Sequence, residues 1–348
     1  MPLVRRPALL AGCLILSLPL LSCSGSGPSD TVAGSCPGGV GLPSGSIVAY
    51  ELVTVGDPGN QSDANGFGSV PQAYRIGRYA VTIGQYASFL NAVARTDPHG
   101  LYDERMASDL NVAGIARSGA AGSYAYTPMD NGGDSARRPI AYVSWFDAAR
   151  FVNWMANGQP TGPQSPATTE DGTYPLRGAV DGDAVARNPC HPVAGTTLTY
   201  WIPTENEWYK AAYYSPTHGG ADAPGYFLYA TRSSSAPGNT AGDAPNQMNV
   251  IVGVDFAVTK SPELVATQNY LTDVGAYTGS ASHYGTFDQN GSLYQWNDLD
   301  GRPFPYRGVR GSFWFAGAQA AQSITYAGLT PGHAGNDVGF RLAAPSSR

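Results

Sequence analysis

Apolar residues in this chain fall into short blocks, and three of the blocks have helical spacing. In the first, Ile83, Tyr86, Phe89, Leu90 and Val93 recur at intervals of three and four. Thr82 and Gln85 stand where a capping box needs them, so a helix is predicted over 82–94. In the second, Trp145, Ala148, Phe151, Val152 and Met155 share one face behind Ser144 and Asp147, and Asn157-Gly158 marks the stop. The third starts at Thr204 with Glu207 three places on, and runs through Ala212. These apolar stripes read as core. β-Branched and aromatic runs at 45–55 and 73–81 predict two strands. The stretches 97–138, 158–197 and 214–270 are rich in Gly, Ser, Asp and Pro and are predicted as loops.

The last irregular stretch, 307–344, has a different character. It opens on a basic, glycine-flanked turn, Arg307-Gly308-Val309-Arg310-Gly311, followed by Phe313, Trp314 and Phe315. It closes on Gly339-Phe340-Arg341-Leu342-Ala343, and its one acidic residue is Asp337. A long irregular run with aromatic anchors at both ends is expected to be ordered and functional.

Composition supports a loop-rich globular protein. Of 348 residues only 13% are charged, against a usual ~25%, while Gly 44 and Pro 27 are high. A net charge of −6 gives no footprint for nucleic acid. The first residues change the picture more. Arg5 and Arg6 precede an apolar run, Ala8 to Leu21, and then Leu20-Leu21-Ser22-Cys23, which resembles a bacterial lipobox. The expectation is a lipoprotein-type signal at 1–22, lipidation at Cys23 and a flexible linker over 23–44. The membrane would then be reached through a lipid anchor only. Ordinary cleavage, giving a secreted protein, is the alternative. Of the remaining cysteines, Cys36 and Cys190 either form one disulfide or stay as two thiols. No Cys/His spacing suits zinc.

Five segments in order carry a resemblance to a known family. They are YRIGRYAVTIGQYASFLNAV, RPIAYVSWFDAARFVNWM, YWIPTENEWYKAAYY, VGAY with YGTFDQNGSLYQW, and RG with GFRLA, spanning Tyr74 to Ala343. They resemble the formylglycine-generating enzyme, or sulfatase-modifying factor, family. The resemblance implies an α+β, variant C-type-lectin-like fold over 45–345, loop-rich, with a small β-sheet and a few helices. It also implies a copper site made by two cysteines. Here those positions hold Phe315 and, near it, Ala320, and no cysteine follows Cys190. Cu(I) needs soft sulfur ligands, so copper and the oxidase reaction are not expected. A calcium site of the family maps onto Gly291-Ser292-Leu293-Tyr294-Gln295-Trp296, with Ser292 and Gln295 replacing asparagine and glutamate, and Asn249 matches a ligand of another. Calcium stays open but weakened by the lost carboxylate. The iron-dependent branch of the superfamily needs clustered histidines, whereas His99, His191, His218, His283 and His333 are scattered.

The expected function is therefore a non-oxidase member of the family at the cell envelope. It would bind a protein or carbohydrate ligand through its C-terminal loop face, using Ser312, Trp314, Phe315, Gln319, Gln322, Tyr326 and His333. Phe313 and Trp314 are at the same time candidates for plain core. One alternative is a divergent sulfatase-modifying enzyme, for which Glu205, Glu207, Asp288, His283 and His333 are the available groups. Glu205 and Glu207 are also what a helix N-terminus favours. Another alternative rests on Trp314, Thr330-Pro331-Gly332 and Val338-Gly339-Phe340-Arg341, which resemble the variable region of retroelement-diversified lectin-like surface receptors. A purely structural envelope protein is the last.

Overall fold

The computed structural model describes residues 36–38, 42, 46–219 and 224–346. The expected signal, Cys23 and nearly all of the linker lie outside the described residues. The elements in order are β1 (Leu52–Val55), β2 (Tyr74–Gly77), α1 (Ile83–Val93), α2 (Arg105–Ser108), β3 (Ile115–Ser118), β4 (Ala125–Pro128) and a 3-10 turn (Ser135–Arg137). Then come α3 (Trp145–Ala156), α4 (Glu205–Tyr213), β5 (Tyr214–Ser215), β6 (Gly225–Tyr226), β7 (Tyr294–Asn297) and β8 (Arg307–Arg310). A second 3-10 turn (Ala318–Ala321), β9 (Ala327–Leu329), β10 (Val338–Gly339) and β11 (Ala343–Pro345) complete the chain.

The three long helices start where their caps dictate. Thr82, Ser144 and Thr204 each accept from the backbone N–H three residues on, and Gln85, Asp147 and Glu207 each accept the cap residue's own N–H. Each box satisfies two N–H groups that the helix itself leaves unpaired. α3 is buried over its whole length, polar residues included. The loop after it makes that tolerable. Glu170 takes both Nε and Nη2 of Arg150, at 2.7 and 2.9 Å. Asn153 donates to the carbonyls of Thr169 and Tyr174. A buried polar group is tolerated when its partners are supplied, and here 158–197 supplies them.

Two sheets organise the rest. β1-β2-β11 is antiparallel. The other runs β10-β7-β8-β9, antiparallel except for the β10–β7 pair. The stretch 307–344 therefore gives strands to both sheets. Its Phe340 ring meets Phe151 of α3 at 5.4 Å, edge to face. The expected strand at 45–55 is confined to β1. The expected loop at 97–138 holds α2 and the β3–β4 hairpin, paired from Ile115↔Pro128 to Ser118↔Ala125. Its strands, IARS and AYTP, alternate too weakly to be read locally. Tertiary contacts stabilise them: Tyr126 donates to Ala94 O at 2.8 Å, and Arg117 lies over Tyr102 and Tyr124. Cys36 and Cys190 are joined by a disulfide.

Candidate functional site

β8 ends in a turn that only particular residues permit. Gly311 has φ +106°, and a Cβ there would stand 2.2 Å from the carbonyl oxygen of Gln289. Ser312 follows at φ +72°, a left-handed conformation that non-glycine residues seldom adopt. The turn sends Ser312 and Trp314 inward. Ser312 is fully buried with its hydroxyl unpartnered, and Trp314 is 3% exposed. Trp314 Nε1 donates to Asn336 O at 3.1 Å, and its ring stacks on Tyr270 at 4.9 Å. Ser312 and Trp314, expected to touch a ligand, are thus both buried.

Phe315 is the residue this turn delivers to the surface. It is 42% exposed, with its ring 5.4 Å from Phe256 and 5.3 Å from Trp314. Tyr270, Trp314, Phe256 and Phe315 thus form a column of rings from the core outward. The Ile251 N–H donates to Ala316 O at 2.9 Å and brings the loop after it alongside. That loop exposes Val252, Val254 and Val258, with Val254 at 67%, and Leu264 and Val265 are exposed further along. Sequence reasoning missed these residues because it read 214–270 as turns. The run Ile251-Val252-Gly253-Val254-Asp255-Phe256-Ala257-Val258 was the available signal.

Beyond the second 3-10 turn the chain returns to the surface at Tyr326. Its ring lies 5.6 Å from Phe67 and 5.2 Å from the Arg310 guanidinium. Arg310 is fully buried; its Nε meets Glu205 Oε1 at 2.8 Å and its Nη1 donates to the carbonyls of Ser323 and Thr325. One arginine therefore fixes the path of this loop. Gln319 is exposed, while Gln322 is half-buried and donates to the Tyr229 hydroxyl at 3.1 Å. His333 sits in another neighbourhood, with Nε2 3.7 Å from Asp337 Oδ1, close to where Tyr142 N–H donates to Gly335 O.

The acid–base candidates are each engaged separately. Glu205 is held by Arg310. Glu207 accepts from Thr204 N–H at 2.7 Å and Trp201 Nε1 at 3.0 Å. Asp288 accepts from Gly275 N–H at 2.6 Å, and burial pushes its carboxyl up to about 6. His283 Nδ1 lies 3.3 Å from Ser215 Oγ, and burial lowers its basicity.

The residues present do not fit the copper site that the resemblance implies. The copper positions carry Phe315 and Ala320, and the two described cysteines are bound to each other. At the calcium segment, Gln295 Oε1 accepts from Trp208 Nε1 at 2.9 Å and Arg341 Nε at 2.6 Å, while its Nε2 donates to Asp288 O. A guanidinium already sits against the side-chain oxygen of Gln295, which stands where the resemblance expects a carboxylate. Asn249 donates its amide N–H to Tyr270 O at 2.8 Å, a bond that does not occupy the side-chain oxygen a cation would use.

Comparison with known proteins adds the following. The family described as Sulfatase-modifying factor enzyme 1-like domain matches residues 29–345. Among solved structures, CarF is similar at 21% identity over 85% of this chain and 98% of that one, with a TM-score of 0.47. Treponema denticola variable protein 1 is similar at 16% identity over 86% and 96%, TM-score 0.45. PvdO from Pseudomonas aeruginosa is similar at 15% identity over 85% and 92%, TM-score 0.38. No curated protein matches the chain.

Proposed function

Because the chain belongs to the sulfatase-modifying factor enzyme 1-like family, we propose that it keeps the family fold as a scaffold for binding and not for thiol-dependent oxidation. The observation that carries this reading is Phe315. At the position where the resemblance expects a copper thiolate stands a half-exposed ring, backed by Phe256 and Trp314, and the loop that Ile251 pairs to Ala316 exposes Val252, Val254 and Val258. Of the two ligand classes considered, protein and carbohydrate, the aliphatic loop favours a protein surface. Valine methyl groups gain from excluding water but offer nothing to hydroxyl groups. Tyr326 and Gln319 would lie toward the rim. Export and lipidation at Cys23 belong to the same proposal: they would hold the domain at the envelope, where such a partner would be met.

Two measurements test this. Copper titration of the protein, with dioxygen uptake on a cysteine-containing sulfatase peptide, is expected to give neither stoichiometric binding nor turnover; both together would overturn the proposal. Separately, binding to envelope proteins from the native host is expected to be lost in Phe315→Ser and in Val254→Ser. Binding that survives both substitutions would remove this face from consideration.

A further inference from the structure

Away from the stretch 307–344, a cleft of about 420 Å³ opens beside the start of α1. That volume is within the range of small-ligand sites, roughly 300–1,000 Å³. Tyr50 and Tyr79 form its aromatic wall, and Ala80, Ala136 and Val274 its apolar floor. The wall is rigid. The Tyr50 hydroxyl donates to Tyr79 O at 3.1 Å and accepts from Leu342 N–H at 3.0 Å. The Tyr79 ring stacks on Phe287 at 5.7 Å, and Gly275 leaves it room, since a Cβ there would stand 2.7 Å from Tyr79 Cε1. A preformed wall spares a ligand the cost of ordering it.

The chemistry of the rim selects the ligand. Glu51 Oε1 accepts from Arg78 Nη1 at 2.8 Å, and Arg137 Nε lies 3.5 Å from Asp273. The four charges cancel in pairs, so an ionic ligand would find no counter-charge that is not already taken. Glu51 and Arg137 remain well exposed, at 55% and 68% of their side chains, and keep further acceptor and donor capacity toward the cleft. Three of the wall's carbonyls are already engaged. Ala49 O accepts from Gln85 Nε2, Glu51 O from Arg78 N–H, and Tyr79 O from Tyr50. A peptide would meet these acceptors with one lone pair already used. What remains is an aromatic and methyl surface for an apolar ring face, with a carboxylate and a guanidinium for hydroxyl groups.

We infer that this cleft is a second binding site, for a neutral mono- or disaccharide. The sugar's C–H face lies on Tyr79 and the alanine floor, and its hydroxyls bridge Glu51 and Arg137.

The test is calorimetric titration of the full chain with glucose, N-acetylglucosamine, cellobiose, maltose and lactose, and with a neutral tripeptide. Two variants accompany it: Arg137→Ala, and Ala49→Trp, in which an exposed lining residue fills the cleft. Near-ultraviolet circular dichroism verifies that both are folded. Saturable binding of at least one saccharide is expected, weakened about tenfold or more in Arg137→Ala and abolished in Ala49→Trp. No saturable saccharide binding, binding unchanged in either folded variant, or binding of the tripeptide in place of the saccharides would overturn the inference.

Discussion

Arg341 Nε stands 2.6 Å from the side-chain oxygen of Gln295, and both residues are buried. The same guanidinium donates at 2.8 Å to the carbonyls of Gly77 and Phe287, so it ties β2, β7 and the chain before β11 together. Burial lowers its pKa to about 10, and it stays charged at neutral pH. Gln295→Leu would leave Arg341 Nε and Trp208 Nε1 without an acceptor. Each loss costs about 1–3 kcal/mol, so a drop of about 3 kcal/mol is expected in urea unfolding. Because a guanidinium fills this place, added calcium or a chelator is expected to leave the melting temperature unchanged. A shift with calcium would show that the cation finds other ligands.

Trp314 and Phe315 are neighbours with opposite roles, and substitution separates them. Trp314→Ala empties a buried, stacked position and is expected to cost about 3–5 kcal/mol. Phe315→Ser, at a 42% exposed site, is expected to cost under about 1.5 kcal/mol while abolishing partner binding. Equal destabilisation by the two would mean that Phe315 is core.

Asp147 predicts a pH dependence. Burial pushes its carboxyl up to about 6, although Ser144 donates to it through both N–H and hydroxyl. The unfolded chain holds the same group near 3.9. The protonated form thus suits the folded state better. This contribution to stability is fully present below about pH 4 and is lost as pH rises through about 6. Asp147→Asn keeps an acceptor for the Ser144 N–H and removes the titration. Its urea midpoint, followed between pH 4 and 7, should fall less steeply than that of the natural chain. Parallel curves would place the ionisation of Asp147 elsewhere.

The disulfide between Cys36 and Cys190 spans 154 residues. On the chain-entropy argument such a closure stabilises by up to about 5 kcal/mol, through the unfolded state. Reduction, or Cys36→Ser, is expected to lower the urea midpoint with little change in the core's near-ultraviolet spectrum. An unchanged midpoint would show that the N-terminal segment is already restricted in the unfolded chain.

The helices were legible because their determinants are local. A cap at Thr82, Ser144 or Thr204 and its partner three residues on are fixed by covalent neighbours, and the apolar period follows in the same window. The absence of thiols after Cys190 was likewise a property of the sequence alone. The β3–β4 hairpin was not legible, since Tyr126 and Arg117 hold it through partners outside its own strands. Nor was the division of the sequence Ser312 to Phe315 into buried and exposed residues. That depends on the positive φ of Gly311 and Ser312, at a turn where the carbonyl of Gln289, from another part of the chain, leaves no room for a Cβ on Gly311. The sequence by itself thus determined where the three long helices start and that no thiol follows Cys190. Only the tertiary structure decided which ring faces water, because burial is set by neighbours distant along the chain, such as Phe256 and Tyr270, that no local pattern contains.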